Sequence, residues 1–120
     1  MADDMMAKHA IERERLAGLM QNYANLEMKR FLTLDQQVYA EGALTAPIKE
    51  LLGLVASLVL RCDDCITYHL SQCHARGVTT PQLVDALSIS LVVGGSITIP
   101  HIRRVLQVWD GFCGTSTDPA

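Results

Sequence analysis

The stretch "PIKELLGLVASLVLRCDDCITYHLSQCHARG", residues 47–77, decides the fold. Its first half is apolar on most of a helical circumference, with Glu50 the one notable polar intruder, so it should lie centrally as a helix. Thr45 is placed to cap that helix and Pro47 falls in its first turn, where a missing N–H costs little. The second half starts another helix, capped by Asp63 or a neighbour and stopped by Gly77. It also concentrates chemistry, since Cys62, Cys65, His69, Cys73 and His74 fall within thirteen positions.

Outward from this core the pattern stays helical. Leu16, Leu19, Met20 and Tyr23 trace one face of a first helix over roughly residues 5 to 24. Phe31, Leu34 and Val38 mark a second, with Gly42 placed to end it in a left-handed conformation. "TTPQL" begins a fifth helix by the same Thr-then-Pro logic, and Gly94 and Gly95 break or bend it. Ile102, Val105, Leu106, Trp109 and Phe112 face inward from a last helix, after which residues 114–120 read as a mobile tail. No strand-like alternation of useful length interrupts this. The expectation is an all-α domain of about six helices spanning residues 1–120.

The chain has 120 residues, 49% of them hydrophobic, 19% charged and 5% aromatic, so the core must be aliphatic, with some apolar surface left for partner subunits. A net charge of -3 and scattered basic residues give no field for phosphate backbones, which excludes nucleic acid as an expected partner. The run "ALSISLVVGGSITIP", residues 86–100, is too short for a bilayer span and reads as buried helix, core and subunit interface. It could also line an apolar substrate pocket, which His101 would edge. With no apolar signal core near the N-terminus, the expectation is a cytoplasmic protein with no membrane partner. In a reducing compartment a Cys-x-x-Cys pair is more often metal-binding or catalytic than a structural crosslink.

Cys62, Cys65, His69 and Cys73 sit at offsets of 0, 3, 7 and 11, within a sector of roughly 80° on a helix. Cys62 and Cys73 would be some 16 Å apart along the axis, so one zinc ion cannot collect all four. A site built on Cys62, Cys65 and His69 with a distant ligand such as His101 or Cys113 stays open, as does a plain core role for both cysteines. A dithiol fits the spacing better. Side chains one turn apart can bond to each other with little backbone movement, and a place in the first turn lowers a thiol's pKa. His69 lies one turn beyond Cys65, where it can take the thiol proton. Asp63 and Asp64 pull the other way, because adjacent negative charge disfavours a thiolate. Glu50 is either a proton-handling group or an exposed first-turn carboxylate, and reaching the thiols requires a steep helix crossing or a neighbouring subunit. Cys73 and Cys113 read as structural or incidental, and His74 as surface.

The segment "KELLGLVASLVLRCDDCITYH", with eleven residues between Glu50 and Cys62, two between the cysteines and three before His69, resembles the signature of AhpD-like alkylhydroperoxidases in the carboxymuconolactone decarboxylase superfamily. The resemblance covers roughly residues 40 to 110. It implies an all-helical bundle assembling as a homo-trimer or homo-hexamer, with a redox-active pair served by a Glu and His proton relay. Carried over by position, Cys65 is the thiolate that attacks a hydroperoxide, Cys62 the resolving thiol, and Glu50 with His69 the relay. Some peroxidase members carry a histidine immediately before the second cysteine, where this chain has Asp64. The reductant implied is an external dithiol, a lipoyl-bearing or thioredoxin-like protein, and no bound organic cofactor is implied. Decarboxylation of a carboxylated muconolactone is the enzymatic rival, but it gives the dithiol no evident role. A thiol-based redox sensor is the non-enzymatic one.

Overall fold

The computed structural model describes residues 2–113, and the expected tail at 114–120 lies outside the described residues. Six α-helices follow one another: α1 (Ala2–Tyr23), α2 (Leu26–Val38), α3 (Ala46–Leu60), α4 (Asp63–Ala75), α5 (Thr80–Gly94) and α6 (Ile99–Cys113), with a 3-10 turn at Ser96–Thr98 before the last. The described residues contain no strand. The all-helical class and the six-helix expectation are thus met.

Each boundary has a local cause. Pro47 lies in the first turn of α3 behind Thr45, although the Thr45 hydroxyl makes no capping bond. Arg61, in the left-handed region at φ 59°, turns the chain between α3 and α4. The cap of α4 is Cys62, whose sulfur accepts the Cys65 backbone N–H, so the neighbour of Asp63 takes the capping place. At the start of α5, Thr79 and Gln82 form a reciprocal capping box. Gly77 and Gly95, at φ of 83° and 82°, stand just beyond the ends of α4 and α5.

Gly42 has a different role from the one expected. α2 ends at Val38, and Gly42 does not adopt positive φ. Instead Lys49 Nζ satisfies the orphan carbonyls of Val38 at 2.7 Å and Ala40 at 2.8 Å. A Cβ on Gly42 would lie 3.2 Å from that ammonium. The glycine makes room for the lysine that ends the helix.

α3 is central and packs most extensively on α4 and α5. The core joins Leu54 and Leu58 of α3 to Ile66, Leu70 and Cys73 of α4, Leu83 and Leu87 of α5, and Val105 and Trp109 of α6, with Val78 between helices. The Trp109 indole N–H donates to Thr80 Oγ1 at 2.9 Å and ties α6 to the start of α5. The last helix turns Val105 and Trp109 inward as its periodicity predicts, whereas Leu106, expected on the same face, is exposed.

The apolar faces of α1 and α2 do not find a core. Leu16, Leu19, Met20, Tyr23, Phe31, Leu34 and Val38 are all exposed, and α2 buries no residue. The run from Ala86 to Pro100 is not buried helix either. Leu87, Ser90 and Thr98 are inside, while Val92 is 84% and Val93 65% exposed. A single chain offers these side chains no facing element to pack against.

Leu54 is fully buried at the crossing of α3 with its neighbours. Leu54→Ala should lower unfolding free energy by about 2–5 kcal/mol, through lost burial plus the residual cavity. Urea unfolding followed by circular dichroism checks this, and a loss below the cost of an exposed substitution would contradict the assigned core.

Candidate active site

Cys62 and Cys65 are joined as a disulfide, with their Cα atoms 5.3 Å apart. Cys62 is half-buried at the cap and Cys65 exposed in the first turn of α4. The Cys62 sulfur accepts the Cys65 N–H at 3.3 Å. That contact, with the positive end of the helix dipole, favours negative charge on Cys62 once the bond is opened.

Glu50 is buried, 1% exposed, and reaches the α4 side within one chain. Its Oε1 lies 2.9 Å from His69 Nδ1, and its Oε2 lies 3.5 Å from Arg76 Nε. A carboxylate in so apolar a place requires such partners, because an unpaired buried charge is far more costly than a paired one. The other His69 nitrogen, Nε2, faces the Tyr39 hydroxyl at 3.4 Å. Burial, followed by the charges of Asp35 and Glu50 and the nearby Tyr68, pushes the Tyr39 phenol up from its ordinary value. Tyr39 therefore remains an O–H donor at neutral pH, a role that matches a His69 tautomer whose Nδ1–H donates to Glu50. The imidazole one turn beyond Cys65 is held at both ends.

Gly53 makes this arrangement possible. A Cβ there would come within 2.8 Å of His69 Cε1 and 2.9 Å of Nδ1. Glycine in a helix interior is normally the poorer choice by roughly 0.5–1 kcal/mol relative to alanine. The imidazole occupies the space that a methyl would need.

Asp63 and Asp64, between the two cysteines, turn to opposite neighbours. Asp63 Oδ1 lies 2.8 Å from His101 Nδ1 and 3.3 Å from Arg104 Nη2, both on α6. The His101 hydrogen bond, with Arg104 adding to it against slight burial, holds the Asp63 carboxyl below the usual aspartate range. Asp64 pairs with His9 and Arg13 of α1, each at 3.1 Å. A cavity of about 250 Å³ lies between these three helices, with Ile66, Leu70, Val105 and Val108 on its floor and His9, Asp63, Asp64, His101 and Arg104 around it. His101 thus edges a pocket, but one built by α1, α4 and α6 rather than by the run from Ala86 to Ile99. At about 100° per residue this cavity opens on the far side of α4 from Cys65 and His69.

The remaining sulfurs stand apart. Cys73 is a buried free thiol whose pKa is pushed up to about 12 by burial and by the charge of Glu50, so it stays protonated and inert. Cys113 is free and exposed at the end of α6. His74 is on the surface, stacked on Phe112 with centroids 4.5 Å apart. Among the described residues no three His, Cys, Asp or Glu side chains are grouped so as to hold a metal ion.

The structure brings Glu50 and His69 together and adds Tyr39, Gly53 and Arg76. Arg76 follows His69 by seven residues, two helical turns on the same face, so its place was available from spacing. An interior glycine was a second signal. Tyr39 had none, since it comes from the end of a different helix.

Gly53→Ala should leave the protein no more stable than wild type, cancelling the usual gain of about 0.5–1 kcal/mol, and should displace the His69 ring resonances in an NMR spectrum. A clear gain in stability with unmoved imidazole signals would contradict the packing described for Gly53.

Comparison with known proteins places these features in a family. Residues 26–108 match the family model described as the carboxymuconolactone decarboxylase family. An uncharacterized protein of Cupriavidus necator is 28% identical over 85 residues, covering 71% of this chain and 75% of that protein. Uncharacterized protein 4 of the cox locus of Paracoccus denitrificans is 29% identical over 84 residues, covering 70% and 76%. A crystal structure of a Thermotoga maritima protein is similar at TM-score 0.87 and 44% identity, covering 92% of this chain and 97% of that one. A second crystal structure of that same Thermotoga maritima protein, there described as a carboxymuconolactone decarboxylase family protein with a suggested part in antioxidative response, gives TM-score 0.82 at 44% identity, with 90% and 92% covered. A Legionella pneumophila protein of the same family shares the fold at TM-score 0.83 and 20% identity, with 91% and 97% covered.

Proposed function

This chain belongs to the carboxymuconolactone decarboxylase family, and from that premise we propose that it is a thiol-dependent peroxidase with an antioxidative role, reducing hydroperoxides through Cys62 and Cys65. The observation that carries the reading is the bonded cysteine pair at the start of α4, one turn from an imidazole that a buried carboxylate orients. The antioxidative part suggested for the Thermotoga maritima relative supports it.

In the proposed cycle the Cys65 thiolate attacks the terminal oxygen of a hydroperoxide. The O–O bond breaks, Cys65 becomes a sulfenic acid, and the alkoxide takes a proton and leaves as alcohol, or as water from hydrogen peroxide. Cys62 then attacks the Cys65 sulfur, and hydroxide departs with the thiol proton as water. His69, held by Glu50, is the group one turn away that accepts and returns protons, with Tyr39 extending the relay. An external dithiol, a lipoyl-bearing or thioredoxin-like protein, restores the pair. Its thiolate attacks the exposed Cys65 sulfur, and Cys62 leaves because its negative charge is the one received by a backbone N–H. The second donor thiol then releases Cys65, so two electrons pass from the donor to the enzyme. A dithiol has no use in decarboxylating a muconolactone.

Stopped-flow oxidation of the reduced protein by cumene hydroperoxide should consume two thiols per chain within seconds. Cys65→Ser should abolish turnover with every donor, while Cys62→Ser should stop at a sulfenic acid or a mixed disulfide on Cys65, detectable by mass spectrometry. Full activity in Cys65→Ser would overturn the assignment, and oxidation over hours would return the protein to the sensor class.

The reading includes assembly as a trimer or hexamer in the cytoplasm. The exposed side chains of α1, α2 and α5 are the apolar surface that identical neighbours would cover. Sedimentation equilibrium should give a mass three or six times that of the chain, and Val92→Asp combined with Val93→Asp should lower it. A wild-type protein that sediments as a monomer at micromolar concentration would contradict this part.

A further inference from the structure

Two carboxylates inside a redox dithiol are a chemical handicap. Asp63 and Asp64 occupy both positions between Cys62 and Cys65, and negative charge on neighbouring residues, even turned toward the other side of α4, raises a thiol's pKa and lowers the thiolate fraction at neutral pH. The structure shows each carboxylate claimed by a separate pair of basic side chains. Asp63 meets His101 and Arg104 from α6. Asp64 meets His9 and Arg13 from α1.

We propose that Arg104 and Arg13, each beside a histidine that meets the same carboxylate, are positioning residues that set the acidity of the Cys62 and Cys65 thiols by neutralising the two aspartates between them. The inference deepens the reading of the pair as reactive thiols. Its readout is acidity rather than turnover, so either can fail alone.

Three observations support it. Both carboxylates and Arg104 are well exposed, Asp63 at 63%, Asp64 at 66% and Arg104 at 54%, while His9 and Arg13 are at 36% and His101 at 16%. Ion pairs of that kind add little to stability, so holding the fold is a poor explanation for two such pairs meeting at one turn. Second, Arg13 does more than pair with a carboxylate. It also donates to the Asp64 carbonyl at 3.2 Å and lies 4.3 Å over the Tyr68 ring, whose edge meets His69. Its position is specified by three contacts. Third, the contacts of Asp63 with its α6 partners, His101 first and then Arg104, are of the kind that holds a carboxyl below its usual range. The other groups about the thiols are Arg61 just before Cys62, and the Glu50, His69 and Tyr39 chain on the opposite side. Among the described residues none of these pairs with the Asp63 or Asp64 carboxylate, so the charges that answer the aspartates are Arg13 of α1 and Arg104 of α6.

The sign follows. Removing Arg104 leaves Asp63 uncompensated and makes the thiols weaker acids. Removing Asp63 alone leaves the Arg104 charge unanswered and makes the thiols stronger acids. Removing both charges returns acidity to near the starting value, which loss of a merely structural contact would not do.

The test is a double-mutant cycle in a Cys113→Ser background, reading thiolate ultraviolet absorbance of the reduced full-length protein against pH. Cys73, with a pKa of about 12, is silent over the range used. Arg104→Ala should raise the lower thiol pKa by about half a unit, a roughly threefold fall in thiolate fraction below that pKa. Asp63→Asn should lower it by a similar amount, and the double variant should lie close to wild type. Arg13→Ala, Asp64→Asn and their combination form a second cycle on the α1 side, so misfolding of one set leaves the other to decide. Restoration in either cycle supports the inference. Unchanged acidity in the arginine variants, or double variants that stay as displaced as the single ones, would overturn it.

Discussion

A buried carboxylate has to be answered, and the hydrogen bond between Glu50 and His69 is the contact on which the candidate site depends. It joins the first turns of α3 to the middle of α4, the two helices that pack most extensively against each other. Taking His69 away would leave buried Glu50 with only its 3.5 Å contact to Arg76, and taking Glu50 away would leave His69 Nδ1 without its partner, each a buried polar group poorly satisfied. The pair is thus a constraint on how α3 crosses α4. Gly53 exists in that crossing because the imidazole needs the space of a side chain. Arg76 and Tyr39 complete the constraint by occupying the second carboxylate oxygen and the second ring nitrogen.

The cysteine turn experiences two environments at once. One side of α4 presents His69 and the acid that orients it. The opposite side lines a cavity whose margin carries the aspartates and their basic partners from α1 and α6. Helical geometry separates these sides by more than a quarter turn, so the proton transfer and the charge compensation proposed above fall to different residues. Cys73 illustrates the contrast within one helix. Three residues before Arg76 and two turns from Cys65, it lies in apolar surroundings and near a negative charge, and its thiol is correspondingly unreactive.

Energetically the chain is unevenly finished. α3, α4, α5 and α6 share a dense core, while α2 contributes nothing to it and is held by the lysine at its end and by Tyr39. Yet α2 supplies the tyrosine that meets His69. If neighbouring copies cover α1, α2 and the outer face of α5, as proposed above, assembly and the order of the relay are coupled, because the helix bearing Tyr39 then gains the burial it lacks alone.

Local pattern was enough for the helical class, for most helix ends, and for the cysteine pair with a histidine one turn on, since periodicity, caps and turn glycines act over a few residues. Pro47, Gly77, Gly95, Val105 and Trp109 all sit as that pattern requires. What only the tertiary structure decided are the meetings of residues far apart in sequence: Glu50 with His69, Tyr39 with His69, Asp63 with α6 and Asp64 with α1. The same holds for which apolar stripes are covered, as the exposed Phe31, Val92 and Val93 demonstrate. An amphipathic pattern specifies that a face must be buried, whereas the partner that buries it is set by how helices cross, and that depends on the packing of the whole chain at once.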